Sequence, residues 1–140
     1  MSLSRVSAAD PFGDLLRRLL ALSEQRWLRR AAGLLATLLV AAIFILGSYP
    51  VVVDRVVFMW DKAMHFSAYG VIATLLLLAT RSWWLAGLLT PLIGAADEIH
   101  QIFVPGRSAG LDDWSADLLG TLAACLLARW LRRRALRNRP

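Results

Sequence analysis

Four long apolar stretches divide the chain, and each has close to the ~20 residues that a helix needs to cross a lipid bilayer. They cover residues 31–46, 60–80, 83–103 and 114–130. The first contains no ionisable residue, and the acidic residues of the other three gather near one end of each stretch. The pattern predicts four membrane-spanning helices.

Tryptophan residues mark the ends of these stretches. They are Trp27, Trp60, Trp83, Trp84, Trp114 and Trp130. An indole favours the headgroup region of a bilayer, so tryptophans near helix ends are typical of an aromatic belt. The alternative is that they are core aromatics of a soluble bundle, but none lies in the middle of a stretch. The sequence therefore predicts an all-α fold, an integral membrane four-helix bundle.

The overall composition agrees with this interpretation. Hydrophobic residues make up 58% of the 140 positions, and the mean hydropathy is +0.55, whereas soluble domains contain about 45–50%. A soluble domain of this length could not cover so much apolar surface with polar side chains. The single cysteine, Cys125, excludes a disulfide framework within one chain and a zinc site built from cysteines.

The positive charge is distributed unevenly along the chain. Most of the basic residues behind the net charge of +6 lie in two blocks, residues 17–30 and 129–139, which flank apolar stretches. Arg81 lies in the turn between the second and third stretches. The opposite side has only Arg55, Lys62 and Arg107. Because basic residues accumulate in cytoplasmic loops, both termini are predicted to be cytoplasmic, with membrane lipid rather than nucleic acid as the partner.

The two ends of the chain have patterns of their own. Leucines recur at helical spacing across residues 11–30, opposite charged side chains, which predicts an amphipathic helix at the inner membrane interface, with Asp10 as its N-cap. The alternative is a frayed extension. We assign residues 1–30 to this interfacial segment, residues 31–130 to the transmembrane domain, and residues 131–140 to a frayed basic cytoplasmic tail.

Unusual polar residues converge at one membrane depth if the helices alternate in direction, and we call this set the polar cluster. Spacings of four place several of them on shared helix faces. The members are Asp61, Lys62, His65 and Tyr69 of the second stretch, Asp97, Glu98 and Gln101 of the third, Arg107 of the following loop, and Asp113 and Asp117 of the fourth helix. Ionisable groups are costly in a bilayer and usually face a partner or a wet cavity, so the polar cluster is a candidate functional site facing outside.

Structural alternatives remain open for these residues. The whole set could be a salt-bridge network that holds the outer rim of the bundle closed. Taken singly, Asp61 and Asp113 also fit the first turn of a helix, where the helix dipole favours acidic residues. Tyr69 also fits a packed aromatic whose hydroxyl is satisfied. Gly120 and Ala124, four residues apart, predict a close contact between helices.

Three motifs carry a resemblance to a known family. Residues 61–69 (DKAMHFSAY), 97–107 (DEIHQIFVPGR) and 113–120 (DWSADLLG) resemble the signatures of the VanZ-like family of small bacterial membrane proteins, and the resemblance covers residues 34–127. The third motif departs from the family, which usually has asparagine at the position of Asp117. The resemblance implies a multi-pass protein of the bacterial inner membrane and a founding member that confers teicoplanin resistance, but it implies no reaction.

Binding of an envelope lipid or glycan precursor is the first hypothesis for this site. Arg107 and Lys62 are the candidates to contact a phosphate. The carboxylates of the polar cluster cannot all stay ionised without a counter-charge. A divalent cation with oxygen ligands could therefore bridge the phosphate to them. The identity of the ligand, the metal and the oligomeric state are left open by the sequence.

Two further hypotheses belong to other functional classes. In an intramembrane enzyme acting on a phospholipid or glycolipid, His65 would be the general base, Asp61 or Glu98 would orient it, and Arg107 would stabilise developing charge. No nucleophile with a recognisable base spacing accompanies them. A small dimeric transporter is the third hypothesis, although coupling carboxylates are expected nearer the bilayer midplane than these acids lie.

Overall fold

The computed structural model describes residues 10–49, 57–107 and 109–137. These residues form five helices and no strand: α1 (Pro11–Ser23), α2 (Arg26–Gly47), α3 (Val57–Thr80), α4 (Trp83–Ile102) and α5 (Leu111–Arg137). The all-α prediction is confirmed for this part of the chain. The predicted outer loop that contains Arg55 lies outside the described residues.

Within the described residues, two segments are long and apolar enough to cross a membrane. They are α2 (Arg26–Gly47), with a mean hydropathy of 2.1, and the part of α3 from Trp60 to Thr80, with a mean hydropathy of 1.6. Large apolar side chains on the helices are also widely exposed, among them Leu38, Leu88 and Leu126. Apolar helices with exposed leucines suggest a membrane protein, because water would not favour such a surface.

The closest packing joins α3 to α5. A Cβ atom at Gly120 would overlap the carbonyl oxygen of Phe66 on α3, and a Cβ atom at Gly70 would lie 3.3 Å from the carbonyl oxygen of Gly120. Because glycine has no side chain, the two backbones come into direct contact. Small residues allow the same close approach between membrane helices. The predicted close contact at Gly120 is confirmed.

The remaining helices are arranged around this pair. α2 packs on α3, and α4 packs on both α3 and α5. The Trp114 indole N–H of α5 donates to the Pro91 carbonyl of α4 at 3.0 Å, which fixes the start of α5 against the middle of α4. Ile72, Ala73 and Ala86 are fully buried where the helices meet.

The N-terminal segment begins as predicted and then breaks. The Gly13 backbone N–H donates to Asp10 Oδ1 at 3.0 Å, which caps α1. The prediction of one helix over residues 11–30 is wrong, because α1 ends at Ser23 and α2 begins at Arg26. Gln25 is extended, with a ψ of 130°, and the turn allows Glu24 to form an ion pair with Arg81 at the α3–α4 connection.

The C-terminal segment is more ordered than the sequence suggests. The prediction of a frayed tail is wrong for residues 131–137, because α5 continues to Arg137. Ala135 is completely buried, and its carbonyl oxygen accepts a hydrogen bond from Arg17 Nη1 at 3.4 Å. Packing of α1 against the end of α5 stabilises these last turns.

Candidate functional site

The first turns of α3, the last turns of α4 and the start of α5 bring the polar cluster together. A cavity of about 180 Å³ opens beside it, between α2, α3 and α4. The lining residues are Ile43, Leu46, Gly47, Asp61, Met64, His65, Ala68, Tyr69, Asp97, Gln101 and Arg107. One wall of the cavity is therefore apolar and comes mainly from α2, while the other carries predicted site residues.

Asp97 is the most buried acid on the cavity wall, with 1% of its surface exposed. Its Oδ2 accepts hydrogen bonds from the Tyr69 hydroxyl at 3.3 Å and from Gln101 Nε2 at 3.2 Å. Its Oδ1 is buried and has no hydrogen-bond partner within the described part of the chain. The Asp97 carboxylate is thus held through Oδ2, and its Oδ1 is available to contact a ligand.

His65 lies at the centre of the polar cluster. Its Nδ1 is 2.9 Å from Asp117 Oδ1, and its ring stacks on that of Tyr69, with centroids 6.0 Å apart. Asp117 is completely buried. The hydrogen-bond partner of the imidazole is therefore Asp117 rather than Asp61 or Glu98, the two residues that the sequence suggested.

A glycine makes room for the Asp117 carboxylate. A Cβ atom at Gly94 of α4 would lie 2.5 Å from Asp117 Oδ2 and 3.2 Å from its Cβ. The Thr121 hydroxyl also donates to the Asp117 backbone carbonyl at 2.8 Å. Gly94 therefore lets α5 bring a charged side chain close to α4 and to His65.

Lys62 and Asp113 lie at the α5 side of the polar cluster and not on the cavity wall. The Lys62 ammonium forms ion pairs with Asp112, at 2.7 Å, and with Asp113. The hydrogen bond from Lys62 lowers the pKa of Asp112 below its usual value. The structure thus uses Lys62 to join α3 to α5, whereas the sequence suggested that it contacts a phosphate.

Glu98 also forms its hydrogen bond at the start of α5. Its Oε2 accepts from the Gly110 backbone N–H at 2.8 Å. The residue is only 8% exposed, and its Oε1 is a second buried carboxylate oxygen for which the described residues offer no hydrogen-bond donor.

The turn after α4 positions Arg107. Gly106 has a φ of 81°, the left-handed conformation that favours glycine. The Arg107 backbone N–H donates to the Val104 carbonyl at 3.1 Å, as expected of a tight turn at Pro105 and Gly106. Arg107 lines the cavity, and its buried Nε has no hydrogen-bond partner among the residues that the structure describes. It can donate to a bound anion.

Two groups of three described side chains lie close enough together to hold a metal ion. They are Asp61, His65 and Asp113 in one group, and His65, Asp97 and Glu98 in the other. In each group the ligand atoms, one from each residue, all lie within 4.8 Å of one another. A divalent cation is therefore compatible with the donors present.

Sequence reasoning missed the contribution of α2. Ile43, Leu46 and Gly47 line the cavity, and Ser48 Oγ lies 3.3 Å from His100 Nε2. No signal in the sequence pointed to these residues, because the stretch contains no ionisable side chain. His100 had no assigned role, yet this contact joins α4 to the end of α2.

A second cavity, of about 430 Å³, lies at the other end of the helices. It is lined by Arg17, Leu20, Ala21, Ser23, Glu24, Leu77, Leu78, Arg81, Trp83, Ala128, Arg132 and Leu136. The sequence assigned these arginines only to the cytoplasmic side. The structure groups them where α1 packs on the end of α5, beside the end of α3.

Comparison with known proteins gives one result. The sequence model of a family described as VanZ/LLP1 matches residues 10–132, which include the whole polar cluster. No curated protein matches the chain, and no solved structure matches it.

Proposed function

Because this chain belongs to the VanZ/LLP1 family, we propose that it is a multi-pass protein of the bacterial inner membrane that binds the headgroup of an envelope lipid or glycan precursor. The observation that carries this proposal is the cavity of about 180 Å³, with its apolar α2 wall and its polar α3–α4 wall. A lipid-linked headgroup presents both kinds of surface, and binding sites commonly combine apolar walls with a few polar groups.

The polar wall defines the chemistry of the ligand. Arg107 offers a planar guanidinium whose buried Nε is not used by the described residues, which suits a phosphate or carboxylate. Asp61 and Asp97 line the same cavity and can accept hydrogen bonds from hydroxyl or amine groups. The ligand therefore carries an anionic group together with hydroxyl or amine groups.

Binding of a polyprenyl phosphate tests this function, with the uncharged polyprenol of the same length as the comparison. In protein reconstituted into nanodiscs, Arg107→Ala is expected to lower the affinity for the phosphate by about tenfold or more, because a charge-assisted contact is lost. Arg107→Lys should recover only part of it, since an ammonium lacks the planar fork. Calorimetric titration measures both effects.

A matched control removes an arginine elsewhere. Arg18→Ala changes an exposed residue of α1 and should leave binding of polyprenyl phosphate unchanged. Melting temperatures are measured in parallel. A large fall in the melting temperature of Arg107→Ala, together with full binding by Arg107→Lys, would support a salt-bridge network instead. Growth of expressing strains on teicoplanin gives a cellular measure of any link to glycopeptide resistance.

The same proposal places α2 to α5 across the membrane and α1 at its inner interface. Both termini are then cytoplasmic, and the polar cluster faces outside. The asymmetry of the arginines supports this orientation. The exposed leucines of α2, α4 and α5 support contact with lipid.

Cysteine labelling in whole cells tests the orientation. In a Cys125→Ala background, single changes are made at Ser48, Ser82, Ser108 and Asn138. A membrane-impermeant maleimide should label positions 48 and 108 from outside, and positions 82 and 138 only after permeabilisation, because arginine-rich loops stay in the cytoplasm. The background protein without added cysteine is the control. Labelling of position 82 in intact cells would contradict this topology.

Catalysis is the second candidate function, and one contact favours it. The His65–Asp117 hydrogen bond of 2.9 Å has the form of a general base oriented by a carboxylate. Glu98 and Arg107 complete the candidate catalytic set. Release of inorganic phosphate from the bound polyprenyl phosphate would identify an enzyme, whereas saturable binding without any product would support binding alone.

A further inference from the structure

Three side chains at the centre of the polar cluster share one arrangement. In His65, Asp97 and Glu98, one polar atom is held by a neighbouring group, which leaves a second atom available. One ligand atom from each residue lies within 4.8 Å of the other two. Metal-binding residues are commonly oriented in this way by hydrogen bonds from the surrounding protein.

The two carboxylates provide the strongest indication of a cation. Asp97 Oδ1 and Glu98 Oε1 are buried, and neither has a hydrogen-bond partner within the described residues. The other oxygen of each is bound, Asp97 Oδ2 by Tyr69 and Gln101, and Glu98 Oε2 by the Gly110 N–H. Two unpaired carboxylate oxygens in a buried site are costly, and a cation between them removes that cost.

The imidazole supplies a nitrogen ligand. Asp117 Oδ1 lies 2.9 Å from His65 Nδ1, so a proton on Nδ1 points at the carboxylate and the lone pair is left on Nε2. Carboxylate–histidine pairs of this kind fix the tautomer of metal-bound histidines and make the imidazole a better ligand. Asp117, which is completely buried, would serve here as a positioning residue.

We propose that His65, Asp97 and Glu98 bind one divalent cation of the Zn²⁺ or Mn²⁺ type. A nitrogen ligand with two carboxylates favours these ions over Mg²⁺ and Ca²⁺, which prefer oxygen alone. Two ligands of a tetrahedral Zn²⁺ ion lie about 3.4 Å apart, so the ligand atoms, which are within 4.8 Å of one another, must move closer together by up to about 1.4 Å when the ion binds. Three protein ligands also leave coordination positions open for a bound headgroup.

The alternative group of Asp61, His65 and Asp113 is less suited to a cation. The Asp113 carboxylate already forms an ion pair with Lys62, so its charge is neutralised. Asp61 is partly exposed and water can solvate it. The buried pair on α4 has no such neutralising partner among the described residues.

This inference rests on the proposed function only in sharing its site, because metal binding is measured without any lipid. Purified full-length protein is stripped with a chelator and titrated with ZnCl₂, MnCl₂ or MgCl₂. Elemental analysis should find one Zn²⁺ per chain, and Mn²⁺ should bind saturably, with loss of the free-ion signal in electron paramagnetic resonance. Mg²⁺ should bind at least tenfold more weakly.

Variants assign the ligands. Glu98→Gln should weaken Zn²⁺ binding by about 10–100-fold, and Tyr69→Phe by about tenfold through the orientation of Asp97. Asp14→Asn removes one negative charge, as Glu98→Gln does, but from an exposed residue of α1. It should leave the affinity for Zn²⁺ unchanged. Circular dichroism confirms that each variant is folded.

Several results would overturn the assignment. Wild-type protein that binds neither Zn²⁺ nor Mn²⁺ saturably would exclude the site without reference to any variant. If Asp113→Asn abolished Zn²⁺ binding and Glu98→Gln did not, the ion would be assigned to the alternative group that contains Asp113. Lipid binding that persists in chelator while metal binding fails would overturn the metal site alone. Metal binding without lipid binding would overturn the proposed function alone.

Discussion

Gly120→Ala should lower the free energy of unfolding by about 3 kcal/mol, the upper end of the usual cost of overpacking. The added methyl group would overlap the carbonyl oxygen of Phe66 and lie 2.9 Å from its carbonyl carbon. Both are backbone atoms of α3, so no side-chain rotation can relieve the overlap. The two helices must separate at their closest approach, and thermal melting in detergent should reveal the loss.

A second glycine provides the control. Gly87 lies inside α4, and a Cβ atom there would have no neighbour within 4 Å. Gly87→Ala should therefore raise stability by up to about 1 kcal/mol, because alanine has the higher helix propensity. The same change is favourable at one position and unfavourable at the other. Equal melting temperatures for the two variants would contradict the tight α3–α5 contact.

Local signals explain what the sequence predicted well. Asp61, His65 and Tyr69 occur at spacings of four, and a helix must place them on one face whatever it packs against. Gly120 signalled a close contact because a residue without a side chain in an apolar helix usually marks one. Asp10 before Pro11 is a local N-cap signal. Each of these inferences depends on residues a few positions apart.

The errors at the two ends arise from tertiary contacts. Residues 131–137 carry mostly arginine and show no apolar face beyond the first turn, so no periodicity predicted the end of α5. Ala135 is nevertheless buried under α1, and Arg17 donates to its carbonyl. Likewise, the break after Ser23 allows Glu24 to reach Arg81, which is distant in sequence. Helix propensity depends on local sequence, so it cannot predict contacts between residues that are distant in the chain.

Site residues could be predicted individually but not paired. Sequence spacing assigns His65 and Asp117 to similar depths, yet the rotation of α5 about its axis decides which acid faces the imidazole. That rotation depends on the Gly94 and Gly120 contacts. The apolar α2 wall of the cavity had no signal for a related reason, because Ile43 and Leu46 resemble the other apolar residues of the same stretch.

The buried His65–Asp117 pair should have the other large effect on stability. His65→Leu leaves the completely buried Asp117 carboxylate without its imidazole partner, and an unsatisfied buried charged acceptor costs about 3 kcal/mol or more. Asp117→Asn should cost far less, because the amide oxygen can still accept a hydrogen bond from His65 Nδ1. Melting in the presence of chelator separates this effect from any contribution of a bound cation.

A double-mutant cycle distinguishes loss of the pair from general damage to the core. If the cost of His65→Leu comes from an unpaired charge, the added change Asp117→Asn should restore most of the lost stability, since a buried amide is cheaper than a buried carboxylate. If the leucine merely packs badly, the second change should restore nothing.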